Sequence, residues 1–232
     1  LEKYFKIPKA YNCNAEIAGI TEHANYIYEK KILSSFCNNS KEYIFIDKIQ
    51  KDSFSENNCE KLIEFFNSDE NSKRFQPTLY KGIQSSGNLF SLEYAFIKEI
   101  KKALEEKIEK YKLNFAQSKE GFITMWPKKY ELRAWIVSMK NGGFIQSHNH
   151  GYGWITGSYY LKMPKKTEQN NEGDIAFSYK GPNYPNTNKE FEITIKNINE
   201  RDICIFPSSL FHYTIPFKSE EERISFVFDL IE

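Results

Sequence analysis

Between Phe122 and Ile231 the chain is a succession of short apolar runs broken by Gly, Pro and Asn, with no helical period among them. Phe122 to Trp126, Glu131 to Met139, Phe144 to His148, Trp154 to Met163, Gly173 to Tyr179, Phe191 to Ile195, Ile203 to Phe206, Phe211 to Ile215 and Arg223 to Ile231 each read as a strand. Asn141-Gly142-Gly143 reads as a hairpin turn, Gly151-Tyr152-Gly153 as a second turn, and Gly181 to Asn188 as a Pro/Asn-rich loop. About eight short strands with regular turn signals argue for a mainly β fold, a double-sheet jelly roll or barrel.

Helices are expected only ahead of this region. Glu16 to Phe36 places Ile17, Ile20, Ala24, Ile27 and Tyr28 at a roughly helical spacing, with Ile32 and Leu33 less regular, and His23 is expected to face solvent. Tyr43 to Ile46 suits a short strand. Ser53 to Phe66 reads as a helix capped by Ser55, with Leu62, Ile63, Phe65 and Phe66 as its apolar face. Residues 67–91 are polar and turn-rich around Pro77, Gly82 and Gly87. The strongest helix, about Leu92 to Lys112, aligns Leu92, Phe96, Ile100, Ala103, Leu104, Ile108 and Tyr111 in one stripe, with Lys and Glu alternating opposite it. The expected organisation is a helical extension over 1–50 and one β domain with supporting helices over 51–232. The chain begins with Leu1 rather than Met, as a piece of a longer protein would.

Composition excludes several classes. Thirty-two basic and 31 acidic residues leave a formal charge of +1, so no bulk field draws the chain to nucleic acid or to a membrane surface. No apolar run approaches the length of a membrane span, and Leu1 to Ala10 is too charged for a signal peptide. Cys13, Cys37, Cys59 and Cys204 are widely spaced without a C-x-x-C, which fits reduced, buried thiols and a cytoplasmic setting.

Three of the four histidines fall in two strand-like segments: Gln146-Ser147-His148-Asn149-His150, and Phe211-His212. Residues i and i+2 of a strand point to one face, so His148 and His150 sit about 6 to 7 Å apart along the strand and can share an ion. His212 on another strand would complete a three-residue face and leave positions for water, substrate and O2. This is the arrangement of a non-haem iron site with histidine where many have a carboxylate. Arg223 lies eleven residues after His212, and Ser225 shares its strand face. In the otherwise apolar run Ile224, Phe226, Phe228, an inward guanidinium needs an anionic partner, and its fork suits a terminal carboxylate.

Several segments together resemble a known family: Gln146 to His150, Gly153-Trp-Ile-Thr-Gly-Ser-Tyr-Tyr-Leu161, Glu172-Gly-Asp-Ile175, Ile205 to His212, Thr214 to Phe217, and Glu222-Arg-Ile-Ser225. They are similar to the 2-oxoglutarate/Fe(II)-dependent oxygenases, closest to a bacterial branch often found behind tetratricopeptide repeats. The likeness runs from about Gln84 to Asp229. It implies a double-stranded β-helix (jelly-roll, cupin-like) and a dioxygenase that uses Fe(II), O2 and 2-oxoglutarate as cosubstrate to hydroxylate a small molecule or a protein side chain. It also implies that His148 and His212 hold the metal, with His150 where better-known relatives carry Asp or Glu. Arg223 and Ser225 would bind the far carboxylate of 2-oxoglutarate, and Tyr160 would touch the same carboxylate. Trp135, Tyr152, Trp154 and Tyr159 are candidates for the substrate mouth.

Two other readings stay open on the residues. One is a cupin-type three-histidine metalloprotein, for which Gly142 and Pro207 are correctly spaced but the expected glutamate is absent, Trp154 and Ile155 standing there. The other is a non-catalytic barrel serving as a binding module. Asp174 and Glu172 are the nearby carboxylates that could replace the missing acidic ligand, though their spacing does not favour it.

Overall fold

The computed structural model describes residues 14–49, 55–166 and 170–232. Cys13, the residues before it and the start of the Ser53 helix lie outside these. Among the described residues the α-helices are α1 (Ala15–Tyr28), α2 (Glu56–Asn67), α3 (Ala95–Asn114) and the short α4 (Gly121–Thr124), interspersed with the first three strands. Ser55 caps α2 as expected, its side chain accepting from the Asn58 amide at 3.2 Å. In α3 the stripe Ile97, Ile100, Ala103, Leu104, Ile108 and Tyr111 is buried. Each such large side chain contributes roughly 1.5–3 kcal/mol through the area it removes from water.

The strands are β1 (Phe45–Lys48), β2 (Lys73–Arg74), β3 (Leu79–Ser85), β4 (Glu131–Ile145), β5 (Ile155–Lys162), β6 (Ile175–Ser178), β7 (Thr194–Lys196), β8 (Asp202–Pro207), β9 (Phe211–Thr214) and β10 (Arg223–Ile231). They form a seven-stranded sheet ordered β1-β8-β5-β10-β4-β3-β2 and a three-stranded sheet ordered β7-β6-β9. All pairings are antiparallel. This is the expected double-sheet jelly roll.

Strand parity divides the large sheet into two faces. Ile136, Phe226, Phe228, Leu230, Ile155, Tyr159 and Leu161 join the main core with residues of α2 and α3. On the other face, register sets Ser225 beside Val137 and Tyr160, Val227 beside Trp135 and Ser158, and Asp229 beside Thr156. A second, smaller core closes the space between the sheets: Tyr160, Cys204 and Phe206 from the large one meet Ile175 and Phe177 from the small one.

Four local expectations are corrected. Asn141-Gly142-Gly143 is not a hairpin turn; β4 runs straight through it. There Tyr80 pairs with Phe144 and Gly82 with Met139, so the extra residues form a bulge opposite Lys81. Gly142 takes φ +75° at this bulge, and its amide donates to the Phe217 carbonyl at 2.7 Å. Phe122 to Trp126 is not a strand, because Gly121–Thr124 turns into α4 and buries Phe122 against Phe36. Residues 79–85, read as part of a turn-rich stretch, form β3. His23 does not face solvent but is buried in α1. Its Nε2 lies 2.9 Å from the Pro185 carbonyl oxygen, and its Nδ1 2.9 Å from that of Tyr179. Cys37, Cys59 and Cys204 are free and buried, as expected.

Candidate active site

The apolar-polar alternation of β10 turns Arg223, Ser225, Val227, Asp229 and Ile231 into a cavity of about 510 Å³. β4 contributes Trp135, Val137 and Met139, β5 contributes Ser158 and Tyr160, and the small sheet adds Ile175, His212 and Thr214. The mouth is edged by the turn after His150, which carries Tyr152, and by Asn14 and Glu16 at the start of α1. α1 sits close on these loops: a Cβ on Gly19 would lie 2.7 Å from the Ser209 carbonyl oxygen and 2.8 Å from Asn149 Nδ2.

His148, His150 and His212 meet in this cavity, with one ring nitrogen from each within 4.8 Å of the others. The segment after β4 brings His148 into an antiparallel bridge with His212, their backbones exchanging bonds of 3.1 and 2.9 Å. Each Nδ1 has its own acceptor. That of His148 lies 2.8 Å from the Gln146 carbonyl, that of His212 3.1 Å from the Leu210 carbonyl, and that of His150 2.7 Å from Asp229 Oδ1. Carbonyl oxygens only accept, so His148 and His212 carry their proton on Nδ1 and keep Nε2 as a lone pair. Burial, reinforced by the neighbouring His150, pulls the His148 pKa down to about 4. Burial and the other two rings also hold His212 well below the ordinary histidine value. Neutral imidazoles with free Nε2 atoms are what a divalent ion requires.

No carboxylate belongs to this group among the described residues. Asp174 is buried elsewhere, bound to Lys166 and to the Ile198 amide, and Glu172 accepts from the Lys218 amide. Neither replaces His150.

At the far end of the cavity Arg223 is only 3% exposed. Its Nε donates to the Gly173 carbonyl at 2.9 Å and its Nη1 reaches Ser225 Oγ at 3.5 Å. The guanidinium carbon lies 5.0 Å from the centre of the Tyr160 ring. Burial lowers the Arg223 pKa, opposed in part by Tyr160 and Asp174. The Tyr160 hydroxyl is buried with no hydrogen-bond partner, and burial pushes its pKa up. A guanidinium, a hydroxyl and an unpartnered phenol thus converge where an anion would satisfy all three.

Of the aromatic residues expected at the mouth, Trp135 and Tyr152 line the cavity. Trp154 and Tyr159 belong to the main core, because both point to the helix side. Trp154 Nε1 donates to the Phe122 carbonyl at 2.6 Å, and the Tyr159 hydroxyl meets Cys59 Sγ at 3.6 Å. Sequence reasoning missed Asp229, Arg74 and Gln84 on the cavity wall, and Thr156, which donates to Asp229 from behind. For Asp229 a signal existed, since it continues the inward alternation 223, 225, 227.

Residues 133–229 match the model of a family described as "Putative 2OG-Fe(II) oxygenase", a span that includes every site residue from Trp135 to Asp229. Among solved structures, a Pseudomonas putida prolyl-4-hydroxylase superposes with a TM-score of 0.56 at 10% identity, covering 82% of this chain and 92% of its own. A Trichoplax adhaerens prolyl hydroxylase, in complex with a hypoxia inducible factor oxygen degradation domain peptide fragment, gives 0.52 at 12% identity, covering 100% and 96%. The non-heme alpha ketoglutarate dependent epimerase SnoN from nogalamycin biosynthesis gives 0.55 at 10%, covering 93% and 84%. At such identities the likeness establishes the double-stranded β-helix fold. A search of curated proteins found no match.

Proposed function

We propose that the chain, whose residues 133–229 match the model of a 2OG-Fe(II) oxygenase family, couples decarboxylation of 2-oxoglutarate to hydroxylation of a substrate at the cavity mouth. His148, His150 and His212 hold the metal through Nε2, and Arg223, Ser225 and Tyr160 receive the far carboxylate of the cosubstrate. One observation carries this reading. A single cavity joins three ring nitrogens clustered within 4.8 Å to a buried guanidinium that, among the described residues, has no carboxylate hydrogen-bonded to it.

The residues fit both groups. The backbone acceptors at Gln146 and Leu210 fix the tautomers of His148 and His212 before any metal arrives. Their lowered pKa values keep both rings neutral at pH 7, so binding displaces no proton from them. The unpartnered Tyr160 hydroxyl and the Arg223 fork supply donors that a carboxylate would saturate. Iron held there would supply the oxidising chemistry, coupling the loss of CO2 from 2-oxoglutarate, which becomes succinate, to oxygen insertion into a substrate C–H bond. The chain supplies orientation, charge and exclusion of water, through burial of Tyr160, Thr214 and Ile175 around the cosubstrate end. The inward Arg223 favours this reading over a cupin-type metalloprotein, which has no use for a buried carboxylate clamp.

The substrate is a small molecule or a protein side chain, met at the mouth by Trp135 and by Tyr152, which is 92% exposed. The catalytic unit is residues 51–232 together with β1, which pairs with β8 in the large sheet, and α1 of the preceding extension packs on the site loops. The setting is cytoplasmic, with neither nucleic acid nor membrane as partner. Among the described residues no helix is long and apolar enough to cross a membrane.

The test is release of labelled CO2 from 1-labelled 2-oxoglutarate by the Fe(II)-loaded protein, with and without candidate substrates. Slow substrate-independent release is expected. Neither turnover nor 2-oxoglutarate binding in the presence of Fe(II) would overturn the reading.

A further inference from the structure

The three histidines are not equivalent behind the ring. His148 and His212 lean on backbone carbonyls, which are neutral, whereas His150 leans on a carboxylate, Asp229 Oδ1, at 2.7 Å. The same oxygen accepts from Thr156 Oγ1 at 2.7 Å, and Thr156 Oγ1 meets Ser208 Oγ at 2.7 Å. Asp229 is 9% exposed, so its charge is poorly solvated and its bond to His150 is correspondingly strong. The Trp135 ring lies over that of His150, centroids 5.8 Å apart and 20° from parallel, and holds the imidazole plane. His150 is therefore fixed on two sides, and its Nδ1 is the one nitrogen of the three that faces a negative charge.

Iron sites of the two-histidine, one-carboxylate kind carry one negative donor. Three neutral imidazoles carry none. We infer that Asp229 is a positioning residue that restores that charge at one remove: it holds the proton of His150 on Nδ1, aims Nε2 at the metal, and lends the imidazole anionic character. The carboxylate is displaced outward by the width of one ring. Sequence position supports the idea, because Asp229 lies on the inner face of β10, six residues beyond Arg223, so a single strand carries both the cosubstrate clamp and the charge behind the metal. This inference rests on the three histidines holding the metal, as proposed above.

The test uses the apoprotein titrated with Co(II), whose affinity and visible absorption both report the donor set. Wild type is expected to bind one Co(II) per chain. Asp229→Asn keeps shape and an acceptor oxygen but loses the charge; its affinity is expected to fall about 10- to 100-fold with a displaced absorption spectrum, while the melting temperature of the apoprotein stays near wild type. Asp229→Glu should recover most of both. A second comparison separates charge from local packing: in a His150→Asp background, where the metal receives a carboxylate directly, Asp229→Asn should cost less than threefold. If wild type binds no metal, the functional reading fails first. If wild type binds and Asp229→Asn matches it in affinity, or loses affinity with an unchanged spectrum, the role given to Asp229 is overturned.

Discussion

His23 and His212 are both buried, yet they differ in what their rings have left over. His23 is hemmed in on every side: Pro185 and Tyr179 carbonyls at 2.9 Å, the Gly181 amide at 3.1 Å, Phe191 stacked at 5.2 Å and Tyr184 edge-on at 5.3 Å. Neither nitrogen is left for a ligand, and the ring ties α1 to the 179–185 loop. His212 uses only Nδ1, and its ring sits 4.4 Å from His148 and 4.7 Å from Phe206. Burial alone therefore does not mark a ligand. A lone pair with no internal partner does.

The sharpest way to break that distinction is to remove one ring of each kind. His148→Ala or His212→Ala is expected to abolish stoichiometric Fe(II) binding, measured as metal per chain after anaerobic loading. His23→Ala should retain the metal and lose about 3 kcal/mol of stability, since it deletes a packed ring and strands its hydrogen-bond partners. In a chain of this length that corresponds to a melting temperature lower by roughly 6 to 12 °C. Loss of metal in the His23 variant without unfolding would erase the contrast.

The same test extends to the other end of the cavity. Arg223→Ala should weaken 2-oxoglutarate binding about 100-fold, as expected when roughly 3 kcal/mol of charge-assisted hydrogen bonding is lost. Metal content should not change. Calorimetric titration of the metal-loaded variant with 2-oxoglutarate checks this, and an unchanged affinity would remove Arg223 from the site.

These residues were legible in the sequence because strand parity is a local property. Arg223 and Ser225, at i and i+2 of β10, need only a strand to share a face; His148 and His150 lie beyond the end of β4, and there the isolated bridge of His148 to His212 gathers the rings instead. Asp229 follows by the same count and was within reach. Parity also separates Tyr160, which faces the cavity, from Tyr159, which faces the helices. What escaped was set by partners distant in the chain. Gly142 and Gly143 look like a turn until β3 and the Phe217 carbonyl convert them into a bulge. β3 itself carries Gly82, which reads as a loop signal, and takes Lys81 at φ 45°; its pairing with β4 makes it a strand. His23 looked solvent-facing because nothing nearby announces the 179–185 loop that covers it.

Proton linkage offers a finer probe of the same two regions. Next to His23, Glu22 accepts from the Ser40 amide at 2.7 Å and the Ser40 hydroxyl at 2.6 Å, yet burial raises its pKa from 4.5 to about 7. The folded state keeps a proton that the unfolded chain releases, so this contribution is present below pH 4.5 and is lost as pH rises through 7. His148 runs the other way: with its pKa lowered to about 4, the unfolded chain takes up the proton first, and metal-free stability is lost as pH falls from 6.5 to 4. Glu22→Gln should therefore gain on wild type with rising pH, by about 3 kcal/mol between pH 4.5 and 8 in urea unfolding of the apoprotein. A difference that stays constant with pH would show that Glu22 is not held protonated.

The smallest expected effect is the one that most directly separates a satisfied polar group from one that awaits a ligand. Tyr160 keeps a hydroxyl buried without a partner, at a desolvation cost the apoprotein bears. Tyr160→Phe preserves the ring beside Arg223 and removes only that oxygen. In the metal-free, cosubstrate-free protein it should be neutral or stabilising by about 1 kcal/mol, because nothing inside the fold loses a bond. In the metal-loaded protein the same change should weaken 2-oxoglutarate about fivefold, since the carboxylate then lacks one donor. His23→Ala cannot behave this way, because its hydrogen bonds are all internal and their loss is felt in every state. Opposite signs for stability and for binding at Tyr160 would mark its hydroxyl as part of the site, whereas destabilisation of the apoprotein would mark it as part of the core.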